Sequence, residues 1–280
     1  MGLERYLFEL ACRPFPQWVL KAMRVVPLTN AVLGVLAPQG RIGGSGMKYR
    51  IRFIDSWILA KGVFAHPGGE YCSERFIAGV DKVQTVVDLG CNVGFFCLWV
   101  EYLRRAAGVR DSGLVGIAVD GNEHVLAEMS RNLKLNDING IELVHGLAGG
   151  RKDGNGEFVY AQSTISSSGV AERRPSSMIG VRVKEVPFVD VGQMWERKEG
   201  SRRVDLLKID IEGFEIDFIL SNQDFMRRVD RLFIEWHKPA VQYDDVVRAL
   251  GQPEWQMEIL SEDSRFGVAY AWRRSEGGIA

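Results

Sequence analysis

The 280-residue sequence predicts an α/β fold: a mostly parallel sheet wound by helical crossovers, with a C-terminal antiparallel hairpin and an N-terminal helical cap. Three observations carry this expectation. Strand-like runs "TVVDLG", "GLVGIAVD" and "IELVHGLA" alternate with the helix-period runs "FFCLWVEYLRRAA" and "EHVLAEMSRNLKLN". Strands separated by helices pair in parallel, because the crossover returns the chain to the same end of the sheet. The alternation resumes in "RVDLLKIDI", "FEIDFILSNQDFM", "VDRLFIEWH" and "AVQYDDVVRAL", and the chain closes with "EWQMEIL" and "FGVAYAWRR" across the short "SEDSR". So short a connection joins antiparallel strands.

In chain order, residues 1–80 read as a helical and cap segment and residues 81–280 as the main domain. The beginning is apolar, but Arg13, Pro14, Pro16, Lys21, Arg24 and Pro27 leave no uninterrupted span of roughly 18 apolar residues, so no transmembrane helix or signal peptide is expected. A core-facing cap is the expectation, with contact to a membrane surface as the lesser reading. "QGRIGGSG", residues 39–46, reads as a linker and "MKYRIRFID" as a strand. "SWILAKGVFAHPGGEYCSERFIAGV" is mixed and ends in a helix. Residues 149–180, with "GGRKDGNGE" and "QSTISSSGVAERRPSS", read as a Gly-, Ser- and charge-rich insertion, mobile or substrate-facing, followed by an extra strand, "VRVKEVPF".

Composition sets the bounds. Hydrophobic residues make up 46% and charged residues 25%, as in an ordinary globular protein, and 35 basic against 36 acidic residues offer no global attraction for nucleic acid, so none is expected as a partner. Cys12, Cys72, Cys91 and Cys97 lack CxxC spacing and read as reduced thiols, which places the protein in the cytoplasm.

Two groups of residues carry chemistry. In "VVDLGCNVGFF", Asp88 ends the first strand, and Gly90 and Gly94 frame a turn into a helix whose N-terminal amides favour anionic groups. The spacing "GCNVG" departs from the GxGxxG of dinucleotide sites, which disfavours a nicotinamide cofactor. Asp120 ends the second strand, where a carboxylate accepts hydrogen bonds from both hydroxyls of a ribose. The second group is "KIDIEGFEID": alternation along a strand puts Lys208, Asp210 and Glu212 on one face. In "LFIEWH", Phe233, Glu235 and His237 share one parity, so neighbouring strands would gather Asp210, Glu212, Glu235 and His237 at one crevice.

The combination of "VVDLGCNVGFFCLWV", "AVDGNEHVLAEMSRNLKLN", "VDLLKIDIEGFEIDFIL" and "LFIEWH" resembles the FkbM family of S-adenosylmethionine-dependent methyltransferases, over approximately residues 70 to 240. The resemblance implies a Rossmann-like class I methyltransferase sheet with S-adenosylmethionine as cofactor. It implies a cofactor turn of Asp88, Gly90, Cys91, Asn92 and Gly94, with Asp120 on the ribose, Gly121 and Asn122 along the adenosine, and Leu147 and Ala148 beside adenine. Family members more often carry Glu where Asp120 stands and Pro where Gly121 stands; an aspartate keeps the two-oxygen acceptor.

An aliphatic hydroxyl becomes a nucleophile as its proton leaves, so His237 is the expected general base, oriented by Asp210 with Lys208, Glu212 and Glu235 as electrostatic partners. The chain has "DIEG" where methylases of base amines carry an Asn/Asp-Pro-Pro-aromatic tetrapeptide, which favours hydroxyl over amine acceptors. The expected activity is therefore O-methylation of a carbohydrate or natural product, with Tyr49, Trp57 and Tyr71 as candidates to stack on sugar rings. No metal is expected; a magnesium or manganese ion held by Asp210, Glu212, Glu235 and His237 is the alternative. Competing readings are an inactive cofactor-binding scaffold and a nucleotide-dependent oxidoreductase. The sequence fixes neither acceptor identity nor oligomeric state.

Overall fold

A computed structural model describes residues 25–64, 69–110, 113–160, 182–238, 240–251 and 254–274. The N-terminal segment comprises α1 (Val25–Leu36), the short strands β1 (Gln39–Arg41) and β2 (Lys48–Arg50), α2 (Ile54–Phe64) and α3 (Glu74–Ala78). Residues 1–24, most of the apolar beginning, lie outside the described residues, as do His66 and Cys12. The expected linker at 39–46 is instead half of a hairpin: β1 pairs antiparallel with β2 and the glycines form its turn. Ile42 and Met47 explain the difference, because they bury on either side of the turn and bond to each other through Ile42 N–H and the Met47 carbonyl, at 2.9 Å. The hairpin's outer N–H groups are then satisfied by Asn136 and Asn132, each accepting at 2.8 Å.

The main sheet has seven strands in the order β10-β11-β9-β8-β3-β4-β5. In chain order they are β3 (Thr85–Leu89), β4 (Val115–Asp120), β5 (Gly140–His145), β8 (Leu206–Ile209), β9 (Arg231–His237), β10 (Trp255–Glu262) and β11 (Phe266–Arg273). β5, β4, β3, β8 and β9 run parallel, and β11 inserts antiparallel between β9 and β10, as the terminal hairpin predicts. The intervening helices are α4 (Phe95–Ala106), α5 (Glu123–Lys134), α6 (Val191–Glu199), α7 (Glu215–Ser221), α8 (Gln223–Met226) and α9 (Tyr243–Leu250). α6 has no counterpart in the sequence reading, although Asp190 caps it by accepting from Gln193 N–H at 2.9 Å and Trp195 anchors it in the core.

The sheet separates two apolar cores. One, containing Phe76, Phe96, Trp99, Phe233 and Tyr270, lies on the face that carries Val86 and Leu206; the other, with Phe218, Ile234 and Trp236, lies on the face that carries Leu207 and Ile209. Tyr71 belongs to the first core, edge-on to Phe96 and Phe233, and so is not exposed for sugar stacking; Tyr49 packs against Phe64 and Phe95, and the Trp57 side chain lies outside the described residues. Part of the expected insertion is structured. β6 (Asn155–Tyr160) pairs antiparallel with β7 (Arg182–Pro187), the expected extra strand, and residues 161–181 lie outside the described residues. Cys91 and Cys97 are buried and unbridged, and Cys72 is half-buried and unbridged. Among the described residues no helix is long and apolar enough to cross a membrane.

Strand order reverses between β3 and β8, so the carboxyl ends of these neighbours open the crevice where α/β sheets bind ligands. Gly90, just past β3, takes φ +75°, and a Cβ there would stand 1.7 Å from the Asp210 carbonyl oxygen. Gly90→Ala is expected to lose at least about 2 kcal/mol in urea unfolding, from left-handed strain and backbone collision together. Gly44→Ala, with open space around it, should stay within about 0.5 kcal/mol of the parent.

Candidate functional site

The turn after β3 is built from positive-φ residues: Gly90, Asn92 at +47° and Gly94 at +83°. Gly90 N–H donates to the Val119 carbonyl at 2.9 Å, tying the turn to β4. Asp120, at the end of β4, closes the tie: its Oδ2 accepts from Asn92 N–H at 2.9 Å and its Oδ1 from Asn122 N–H at 2.8 Å. Each oxygen thus has one backbone donor and one remaining lone-pair direction, the donor set that a ribose diol completes. Burial pushes the Asp120 pKa up to about 6, against the lowering effect of those two N–H groups. Asn122 caps α5 by accepting from His124 N–H, and Asp120 faces the turn.

Gly121 sits under Phe158 of β6 and Leu147, where a Cβ would meet Phe158 at 2.6 Å. That packing accounts for glycine at this position. His145 Nε2 lies 2.9 Å from the Gly121 carbonyl, and Leu147 and Ala148 are buried at the adjoining edge. Phe158 is not singled out by the sequence, because it lies in the stretch read as a Gly-, Ser- and charge-rich insertion. Cys91 packs its side chain into the core, leaving only its backbone to the turn.

Asp88 is fully buried behind the turn. Its Oδ2 accepts from the Cys97 thiol at 3.3 Å and its Oδ1 stands 3.6 Å from Lys208 Nζ. Desolvation raises the Asp88 pKa, opposed by Lys208 and by the thiol. Lys208, opposite Asp88 in the β3–β8 pairing, donates to the Gly90 carbonyl and to Asp210 Oδ2, both at 3.0 Å. Burial alone would favour loss of its proton, but Asp210 and Asp88 outweigh burial and move its pKa above the ordinary lysine value.

The expected one-face alternation of Lys208, Asp210 and Glu212 ends at Ile209, where β8 stops. Asp210 and Glu212 belong to the following turn, and Glu212 takes φ +53°, a left-handed conformation that costs a non-glycine residue about 1–2 kcal/mol. The turn nevertheless brings both carboxylates to His237 at the end of β9. Nε2 of His237 stands 3.3 Å from Glu235, 3.6 Å from Glu212 and 3.9 Å from Asp210, and Nδ1 stands 2.9 Å from Glu215. Burial opposes the charged ring, yet Glu215, Glu235, Glu212 and Asp210 together push the His237 pKa up to about 11. Burial and its carboxylate neighbours push Glu212 up to about 7, with His237 acting against them.

The sequence-predicted group is therefore gathered: Lys208, Asp210, Glu212, Glu235 and His237 form one polar cluster. Both ring nitrogens of His237 face carboxylates, Glu215 on Nδ1 and Glu235, Glu212 and Asp210 around Nε2. Two members were missed. Glu215, fully buried on α7, joins His237 Nδ1 and also accepts from Gly213 N–H at 2.8 Å. Glu70, from the N-terminal segment, shares a side-chain hydrogen bond with Glu235; burial and then the Glu235 charge push the Glu70 pKa up to about 8, and burial and then Asp210 raise that of Glu235. The spacing of Glu215 from Glu212 on the following helix was a legible signal; nothing in "GGEYC" linked Glu70 to β9.

The sheet order, the glycine turn at the point of strand reversal and the acid ending β4 define a class I S-adenosylmethionine-dependent methyltransferase. Residues 88–258, more than half of the chain, match the family model described as the methyltransferase FkbM domain. The chain belongs to that family, and S-adenosylmethionine is its cofactor. No curated protein sequence matches it. Among solved structures it is similar to a SAM-dependent methyltransferase from Agrobacterium tumefaciens (11% identity, 84% of this chain and 70% of that one, TM-score 0.46). It is also similar to the T. thermophilus 16S rRNA N2 G1207 methyltransferase (14%, 85% and 50%, TM-score 0.45) and to an rRNA methylase from Streptococcus thermophilus (14%, 71% and 92%, TM-score 0.41). Likenesses this distant carry nothing about acceptor or site.

Lys208→Met would leave Asp88 buried without its cation and release the Gly90 carbonyl. It is expected to cost about 3–5 kcal/mol in urea unfolding, the range for breaking a buried ion pair, and Asp88→Asn in the same chain should recover part of the loss.

Proposed function

We propose that this protein transfers the methyl group of S-adenosylmethionine to a hydroxyl of a carbohydrate or natural product. The observation that carries the proposal is the continuity of the two groups of residues: Lys208 bonds at once to the Gly90 carbonyl of the cofactor turn and to Asp210 of the carboxylate–imidazole cluster. An acceptor hydroxyl held at the cluster then lies beside the cofactor turn.

The cofactor supplies a methyl group on a sulfonium, whose leaving group needs no acid. The chain's part is to orient the acceptor and take its proton. Asp120 and the N–H groups of the turn hold the nucleoside end. Asp210, fixed by Lys208, accepts from the acceptor hydroxyl and aims its oxygen. As the new C–O bond forms and the C–S bond breaks, the hydroxyl proton passes to Glu235, whose other partners are His237 and Glu70. His237, held by Glu215, keeps Glu235 in place. The carboxylate-rich cluster repels the phosphates of a nucleic acid, which supports a small-molecule or glycan acceptor in a cytoplasmic setting, as do the unbridged cysteines.

Transfer of isotope-labelled methyl groups into a panel of glycans, sugar derivatives and hydroxylated metabolites, followed by mass spectrometry, tests the reaction. A methyl ether product supports the proposal, and an N-methyl product contradicts it. Asp210→Asn and Glu235→Gln are expected to lower turnover at least a hundredfold while cofactor affinity stays within about threefold. Asp120→Asn should weaken cofactor binding tenfold or more in calorimetry. Because the useful form of Asp120 is ionised and its pKa stands at about 6, affinity should hold above that pH and fall as pH drops through it.

A further inference from the structure

We propose that Asp210, Glu212 and His237 form a binding site for a divalent transition-metal ion of the manganese or zinc type, against the expectation drawn from sequence. One ligand atom from each lies within 4.8 Å of the others. His237 Nε2 stands 3.6 Å from Glu212 and 3.9 Å from Asp210, too far for hydrogen bonds. Two ligands on a tetrahedral ion with bonds of about 2.1 Å lie about 3.4 Å apart, so both separations are within about 0.5 Å of those on a shared ion.

An independent observation comes from behind the ring. Metal-binding histidines characteristically give their other ring nitrogen to a carboxylate, which fixes the ring and sharpens its basicity. Glu215 occupies that place, 2.9 Å from Nδ1, and is fully buried. Its second oxygen, Oε2, is buried without a hydrogen-bond partner among the described residues. A fully buried carboxylate oxygen without a partner beside the ring marks a polar pocket whose hydrogen bonding is incomplete among the described residues. Charge points the same way, since among the described residues Asp210, Glu212, Glu215 and Glu235 surround His237. One imidazole with carboxylate oxygens suits manganese or zinc better than calcium or magnesium, which favour all-oxygen shells.

The ion would replace the proton on Nε2, and Glu235, 3.3 Å from that nitrogen, would stay at the rim to receive the acceptor's proton. The site itself stands on geometry; its role in acidifying the acceptor hydroxyl rests on the proposed reaction.

The test is titration of the full chain with Mn²⁺, followed by electron paramagnetic resonance of the free ion, with S-adenosylmethionine affinity measured separately by calorimetry. One Mn²⁺ is expected to bind per chain. Glu212→Gln and Asp210→Asn should each weaken it tenfold or more, with cofactor affinity unchanged. Glu212 is at the site's outer rim, so its variant tests the idea even if His237→Ala fails to fold. Absence of Mn²⁺ binding by a chain that binds cofactor, or binding unaltered in Glu212→Gln, overturns the metal site and leaves the methyltransferase reading standing. A chain that binds Mn²⁺ at these residues but produces no methyl ether keeps the site and overturns the reaction.

Discussion

The ammonium group of Lys208 is the contact on which the rest of the site depends. It is buried between Asp88 and Asp210 and donates to the carbonyl of Gly90, so a single cation fixes the end of β3, the end of β8 and the turn between sheet and cofactor. A lysine can stay charged there only because two carboxylates offset its desolvation. Asp88, in turn, can stay in the core only because Lys208 and the Cys97 thiol face it. The parallel pairing that sets Asp88 opposite Lys208 makes this arrangement a consequence of the fold.

Beyond Lys208 the charge balance inverts. Carboxylates from α7, β9 and the turn after β8 converge on one imidazole, and Glu70 of the N-terminal segment joins them through Glu235. Burial and neighbouring carboxylates raise the Glu212 pKa to about 7, and the carboxylates around His237 raise its own. Such a cluster is costly to keep for stability alone. The left-handed conformation of Glu212 adds to the cost, and strain of that kind persists where surrounding contacts over-determine it. Glu70 gives the N-terminal segment a part in the site: a segment that begins as a cap on α4 and α5 also delivers a carboxyl to β9.

Much of this was legible in the sequence. The seven strands of the main sheet, the glycine turn and Asp120 follow from period-two and period-3.6 patterns, and the parity of "LFIEWH" correctly sets Phe233, Glu235 and His237 apart from Ile234 and Trp236. The parity of "KIDIEG" fails after Ile209, because a strand pattern says nothing about where pairing stops; the carboxylates converge through a turn instead. β6 was hidden because its short apolar run, Phe158 to Tyr160, lies between the Gly- and charge-rich "GGRKDGNGE" and a Ser-rich stretch, and its partner, β7, is distant in sequence. The first half of the hairpin, 39–46, was read as a linker ahead of a strand, because the hairpin's stabilising partners, Asn132 and Asn136, belong to α5 and the residues just beyond it. Glu70 went unread for a related reason: its contact with Glu235 crosses the fold, and no local pattern announces it.

The central claim is that the nucleoside held by Asp120 and the acceptor held by Asp210 and Glu235 meet across the Lys208–Gly90 link. A crystal structure with S-adenosylhomocysteine tests this most directly. The account predicts the ribose hydroxyls on Asp120 and the thioether sulfur beside the Gly90 turn, facing the cluster around His237. A ribose away from Asp120, or a sulfur directed away from Asp210 and Glu235, would contradict it.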